Sequence, residues 1–210
     1  MYKTVIANDY LKSRYSLFKW RYSLSTVNKI VLAFGIAAVT GLAAQIKVPL
    51  PWTPVPITAQ TFIVLIAAVL LGKWWGGVSQ LIYVGMGAIG IPWFNGWSGG
   101  YIVLTGPTGG YLCGFILAAL FLGHLTDKYI KVRKFFPILG LMFFANFVLI
   151  HIPGLLQLSL WFYIVKGTMP NLWNLLLMGT VPFIAGDITK IVAAAALTTT
   201  LPGLWLRTKN

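Results

Sequence analysis

Between Lys29 and Lys47 the chain reads IVLAFGIAAVTGLAAQI, Ile30 to Ile46, an unbroken apolar run whose only polar side chains are Thr40 and Gln45. A helix over this run is about 26 Å long at 1.5 Å per residue, close to the roughly 30 Å of a bilayer's hydrocarbon core. Similar runs follow at Thr58 to Leu71, Gly76 to Ile91, Pro107 to Leu125, Phe135 to about Leu158 and Thr180 to about Leu201, separated by charged or Pro/Gly-rich breaks. The run at Thr58 is short, and is read as starting near Pro56 and continuing through Trp74 and Trp75. The semi-apolar stretch Ser159 to Gly179 is placed partly at the membrane interface. The chain is 58% hydrophobic and only 9% charged, against about 25% charged residues in a soluble domain. So few charges cannot cover a water-exposed surface, so the outer face must meet lipid. The expectation is an all-α integral membrane protein: a bundle of about six transmembrane helices over residues 30–205, preceded by a basic cytosolic or interfacial segment, residues 1–29.

The charge distribution orients the bundle. The chain carries 16 Lys and Arg against 3 Asp and no Glu, a net charge of +13. Six cations lie in residues 1–29, and Lys73, Lys128, Lys131, Arg133, Lys134, Arg207 and Lys209 lie at breaks on the same side. The opposite side holds only Lys47 and Lys166, while Lys190 sits inside the last run. The positive-inside rule then places both termini in the cytosol, with an even number of spans, in a multi-pass protein of the cell membrane. No arginine-rich patch is interleaved with stacking aromatics, so nucleic acid is not an expected partner. Residues 1–29 contain no short apolar core and do not read as a cleavable signal peptide. Tyr10, Tyr15, Trp20 and Tyr22 among those cations suit the anionic cytoplasmic leaflet, and plain disorder is the alternative reading of the segment. Cys113 is the only cysteine, which excludes an intrachain disulfide and a Cys-based metal site. Gly72-Lys73 is followed by Trp74, so there is no P-loop.

Of the three acids, Asp9 and Asp127 fall in cytosolic segments, and Asp187 alone lies inside an apolar run, AGDITKIVAAAAL (Ala185 to Leu197). Lys190 follows three residues later, on the same helix face. An ionisable side chain at bilayer depth costs about 2.5–3.5 kcal/mol on insertion scales. The pair is either a self-neutralising ion pair or a polar ligand site facing the bundle interior, and intramembrane charge favours the second. Pro182 near the outer helix start puts Asp187 about 7–8 Å below that end. An acceptor beside a cationic donor suits a small solute with N–H donors and a carbonyl or carboxylate. Without a second acid or a nearby His, the pair makes a poor metal site. The Gly-rich outer loop Pro92 to Gly106 supplies Trp93, Phe94 and Asn95, the aromatic wall and polar group of a small-molecule pocket, while Trp97 suits an aromatic belt. Ala33, Ala37 and Gly41 recur every four residues in the first run, a spacing that permits close helix approach. It serves internal packing or docking to another membrane subunit equally well. His124 reads as interfacial, and His151 as a satisfied polar group. No catalytic residue is expected.

Four strings carry a resemblance: TPVPITAQT (Thr53 to Thr61), YVGMGAIGIPWF (Tyr83 to Phe94), GPTGGYLCGF (Gly106 to Phe115) and GDITK (Gly186 to Lys190). In this order, over roughly Ile30 to Leu201, the chain resembles the BioY family, the biotin-specific substrate-binding (S) components of energy-coupling factor (ECF) transporters. The resemblance implies a six-helix S component that captures biotin from outside. A membrane T component and two cytosolic ATPases would supply the energy, with ATP used by those partners and no cofactor in this chain. It carries substrate binding onto Asp187 and Lys190, and adds Thr58, Gln60, Tyr83 and Tyr111 to Trp93, Phe94 and Asn95. It also favours subunit docking by Ala33 and Ala37, with Gly41 continuing the stripe. Here Asn95 directly follows Phe94, where the family often has a small residue, and the basic segment 1–29 departs from the compact family pattern.

Other functions compete with this one. An S component for another small vitamin fits the same residues. A membrane-embedded enzyme would need a nucleophile and base, or a metal cluster, at membrane depth, and the chain offers one intramembrane acid. A structural scaffold has no reason to keep Asp187 at depth. The orientation is open to a direct check. With Cys113 replaced by Ala, Ser98→Cys is expected to react with a membrane-impermeant thiol reagent in intact cells, and Lys131→Cys to be protected. Labelling at position 131 would reverse the orientation.

Overall fold

The computed structural model describes residues 20, 21 and 23–207. Most of the basic N-terminal segment, with its interfacial reading, and Lys209 lie outside the described residues. Helix α1, Thr26–Gln45, starts at Ser25, whose hydroxyl accepts the Asn28 N–H at 3.2 Å and so satisfies one of the donors left open at a helix start. After α1, Lys47 and Val48 pair antiparallel with Thr58 and Ile57 as strands β1 (Lys47–Val48) and β2 (Ile57–Thr58). This closes the Pro-rich loop at its base.

The next helical stretch, Gln60–Ala88, is broken at Gly72, where φ is 77° and ψ is −172°. A side chain rarely tolerates that conformation, and glycine adopts it freely. The chain reverses there into an antiparallel hairpin, α2 (60–71) and α3 (73–88). Two observations establish the reversal. A Cβ on Gly76 would lie 3.1 Å from the Ala68 Cα, although eight residues of straight helix span about 12 Å. The Gln60 side-chain amide also donates to the Tyr83 hydroxyl at 2.7 Å, across what would be about 35 Å of straight helix. The short run therefore begins at Gln60, not near Pro56, because Ile57 and Thr58 are engaged in the strand pair. It ends at Gly72, so Trp74 and Trp75 belong to the following helix. The vertex is fastened from outside: the Asp127 carboxylate accepts the Lys73 N–H at 3.0 Å and pairs with Arg21. Asp127 thus caps the start of α3, where a negative charge also complements the helix dipole.

Past the loop and the short helix α4 (Tyr101–Thr105), helix α5 (Gly109–Lys128) packs along the hairpin and, on its other side, against the following rod. That rod runs through α6 (Phe135–Phe144), a wide π turn (Ala145–Ile150) and α7 (His151–Lys166). It passes Pro153 rather than ending near Leu158. A proline offers no N–H and its ring crowds the carbonyl four residues back. The turn before it is widened, with the His151 N–H reaching the Asn146 carbonyl five residues back. The rest of the semi-apolar stretch forms α8 (Leu172–Gly179), and a short 3-10 turn leads into α9 (Ile184–Arg207). Among the described residues five helical stretches are long and apolar enough to cross a membrane, and Gln60–Ala88 is one of them. Split at Gly72, they make six rods in a multi-pass membrane protein.

Ala33 and Ala37 are fully buried within the chain, Gly41 is buried too, and a Cβ on Gly41 would lie 2.8 Å from the Trp93 Cβ. The small-residue stripe therefore faces the bundle, and its close approach is used for internal packing. The outward faces of α1 carry Val27, Val31, Leu42 and Ile46, which suit lipid. The hairpin vertex yields a prediction: Gly72→Ala adds about 1–3 kcal/mol of backbone strain and drives its Cβ into Arg21 and Asp127. Its melting temperature in detergent should fall by several degrees. An unchanged value would contradict the left-handed vertex.

Candidate functional site

Asp187 stands in the first turn of α9 and is 2% exposed. A buried carboxylate is tolerated only when its charge is paired and its lone pairs are filled. Oδ1 meets the Lys190 ammonium at 2.6 Å. Oδ2 accepts from the Asn146 side-chain amide at 2.8 Å and lies 2.9 Å from His151 Nε2. Lys190 also donates to the Thr58 carbonyl at 2.9 Å, which ties the charged pair to the end of the Pro-rich loop. The other nitrogen of His151, Nδ1, lies 3.2 Å from both the Gly179 carbonyl and the Thr180 hydroxyl. The Tyr111 hydroxyl donates to that same Gly179 carbonyl at 2.8 Å.

These groups form one side of a cavity. The Pro-rich loop contributes Val55, Pro56 and Thr58, and the start of α2 contributes Gln60 and Thr61. The Gly-rich loop adds Phe94, Asn95 and Ser98, while α5 brings Tyr111, Leu112 and Phe115. Ile150, His151, Phe183, Asp187 and Lys190 close it. Two polar atoms on this wall, Asn95 Oδ1 and Thr61 Oγ1, are buried without a hydrogen-bond partner among the described residues. A buried polar atom left unpaired costs about 1–3 kcal/mol, so each is available to a polar ligand.

Phe94 reaches the cavity because Gly87 has no side chain: a Cβ there would overlap the Phe94 ring. Gln45 holds the loop from below, donating to the Phe94 carbonyl at 3.0 Å and accepting the Trp97 N–H at 3.0 Å.

Of the nine residues expected in the site, Asp187, Lys190, Asn95, Phe94, Thr58, Gln60 and Tyr111 surround this cavity. Trp93 and Tyr83 do not line it. Tyr83 is fully buried behind it, bonded to Gln60, with its ring edge-on to Phe94 at 5.4 Å. Trp93 donates its indole N–H to the Tyr83 carbonyl at 2.8 Å. These two back the wall and set the positions of Gln60 and Phe94. His151 corrects the reading of Asp187 as an acid with no His nearby. Asn146, His151 and Thr61 were missed. No spacing in the chain links His151 or Asn146 to an acid 36 or 41 positions away, and Pro153 was the only mark of the turn that brings them there. Among the described residues no group of three or more His, Cys, Asp or Glu side chains could hold a metal.

The model of the BioY family matches residues 15–207. The chain belongs to the BioY family. The BioY match reaches back to residue 15, so the second half of the basic segment lies within the family's span. The probable biotin transporter BioY of Methanothermobacter thermautotrophicus is 62% identical over 132 residues, covering 63% of this chain and 84% of that one. The biotin transporter BioY of Thermotoga maritima is 34% identical over 171 residues, covering 81% and 94%. Among solved structures, the biotin S-component of an ECF-type ABC transporter superposes with a TM-score of 0.74 over 85% of this chain and 94% of that chain, at 22% identity. At that identity the likeness speaks for the fold. The BioY strings found in the sequence converge on the cavity: TPVPITAQT brings Thr58, Gln60 and Thr61, GPTGGYLCGF brings Tyr111 and Phe115, and GDITK brings Asp187 and Lys190.

Proposed function

We propose that this protein is the biotin-binding S subunit of an ECF uptake system. The observation that carries the reading is a buried Asp187–Lys190 pair facing a cavity that also offers the unpaired acceptor Asn95 Oδ1. Family membership supplies the ligand. Biotin's ureido ring has two N–H donors and a carbonyl, its fused ring is apolar, and its side chain ends in a carboxylate. The N–H groups suit Asp187 Oδ1 and Asn95 Oδ1, and Lys190 suits the carbonyl or the carboxylate. The apolar ring fits against Phe94 and Phe115.

The cavity lies at the opposite end of the bundle from Arg21, Lys73, Asp127 and Arg133. The positive-inside rule assigns that cationic end to the cytosol, so the cavity opens outward, as capture from outside requires. Transport against a gradient needs an energy source, and this chain has no P-loop. A membrane T component and two cytosolic ATPases fill that role in the reading.

The test is the double variant Asp187→Leu/Lys190→Met, assayed separately for fold and for biotin binding. Replacing a buried ion pair by apolar groups of similar size is often neutral for stability. Losing two charge-assisted hydrogen bonds of about 1.5–3 kcal/mol each is expected to weaken biotin binding by at least about 100-fold. A folded double variant with wild-type affinity would remove the site assignment. Asp187→Asn, which keeps the shape and removes the charge, is expected to weaken binding in the same direction.

A further inference from the structure

In an α-helix, residues five apart point about 140° away from each other, so Asn146 and His151 could not both face one carboxylate from a regular helix. The π turn at Ala145–Ile150 stacks residues five apart along the helix, through the bond from the His151 N–H to the Asn146 carbonyl. Both side chains then reach the same atom, Asp187 Oδ2. Asn146 is fully buried and gives its amide N–H to Asp187, although its own Oδ1 finds no partner among the described residues. Two donors on Oδ2 leave Oδ1, beside Lys190, as the oxygen with a free lone pair for a ligand.

The neighbours of His151 also fix where its proton sits. Nδ1 faces a carbonyl that can only accept and the Thr180 hydroxyl, which can donate. A proton on Nδ1 alone would turn the Nε2 lone pair toward the carboxylate at 2.9 Å. The neutral ring with Nε2–H, accepting from the Thr180 hydroxyl at Nδ1, satisfies every contact except the Gly179 carbonyl, which Tyr111 already serves. The doubly protonated ring keeps Nε2–H as well. In either state Nε2–H points at Asp187. Tyr111, Phe147 and Phe183 pack around the ring and hold its plane.

We propose that His151, set by the π turn and oriented by Thr180, is a positioning residue: with Asn146 it holds the Asp187 carboxylate so that Oδ1 accepts a ligand N–H, and it thereby sets the selection for a ureido N–H donor. The proposal rests on the biotin-binding reading and goes beyond it by naming what makes Asp187 selective.

The experiment measures binding of biotin, and of biotin methylated on each ureido nitrogen in turn, to the purified full-length protein. The variants are His151→Phe, His151→Gln and His151→Asn. Phe keeps the ring and removes both nitrogens. Gln carries an amide N–H to the reach of Nε2, and Asn carries one only to the reach of Nδ1. His151→Phe is expected to weaken biotin binding about ten-fold or more and to lower the preference for biotin over the methylated analogue by a similar factor. His151→Gln should recover most of both, and His151→Asn neither. Should His151→Phe fail to fold, the contrast between Gln and Asn decides. Wild-type affinity and preference in His151→Phe would overturn the proposal. So would equal losses in Gln and Asn that track their melting temperatures, the mark of a purely structural role. Wild-type protein that binds no biotin would overturn the functional reading and this proposal with it, whereas wild-type binding with unaffected His151 variants overturns this proposal alone.

Discussion

A carboxylate at bilayer depth must be neutralised and hydrogen-bonded, or it will not stay there as an anion. Asp187 meets that requirement with Lys190 from its own helix and with Asn146 and His151 from the neighbouring rod. Much of the cavity half of the bundle follows from it. The rod carries a π turn that aims two donors at one oxygen. Lys190 in turn holds the Thr58 carbonyl, and so fixes the base of the Pro-rich loop against α9. Thr53 in the same loop donates to the Met178 carbonyl at the end of α8, next to the Gly179 carbonyl that Tyr111 serves. On this side of the cavity, Thr58, Lys190, Asp187, Asn146, His151 and Tyr111 are thus joined in one connected polar network set in an apolar bundle. In such a medium a satisfied network is rigid and a broken one is costly.

The opposite end of the bundle solves a simpler problem with the same chemistry. Gly72 reverses the chain, which exposes the first N–H groups of α3 at the vertex, and Asp127 from α5 accepts one of them while Arg21 balances its charge. Gly123 on α5 has no side chain where a Cβ would lie 2.6 Å from the backbone of Gly72 and Lys73, so helix and vertex can touch. Asp127 serves the start of α3 and Asp187 stands in the first turn of α9, each with a cationic partner. Asp127 is committed to the vertex and Asp187 faces a cavity, and that difference separates structure from function.

The membrane fold was legible because lipid imposes a simple rule, long runs with almost no charge, and because cations mark one side. Asp187 and Lys190 stood out for the same reason: a charge inside an apolar run has no ordinary explanation. The partners of Asp187 were not legible. His151 and Asn146 look like isolated polar residues in the sequence, and only a widened helix turn and the crossing of two rods join them to it. Trp93 is expected in the site as an aromatic of the Gly-rich loop, and Tyr83 through the family resemblance. Neighbours along a chain can stand one behind the other, and these two support the wall from outside the cavity. The Ala33–Ala37–Gly41 stripe shows the same limit. Small residues announce a close approach without saying to what, and here the partner is the chain's own hairpin and Trp93.

The claim at the centre of this account is that the polar network around Asp187 is the ligand site. A structure of the protein determined with biotin bound tests it most directly. The ureido ring is expected in the cavity beside Asp187 and Lys190, with one ring N–H within hydrogen-bond distance of Asp187 Oδ1 and His151 still on Oδ2. Biotin bound away from that cavity, for example in the apolar groove lined by Trp52, Phe162, Met169 and Pro182, would contradict it.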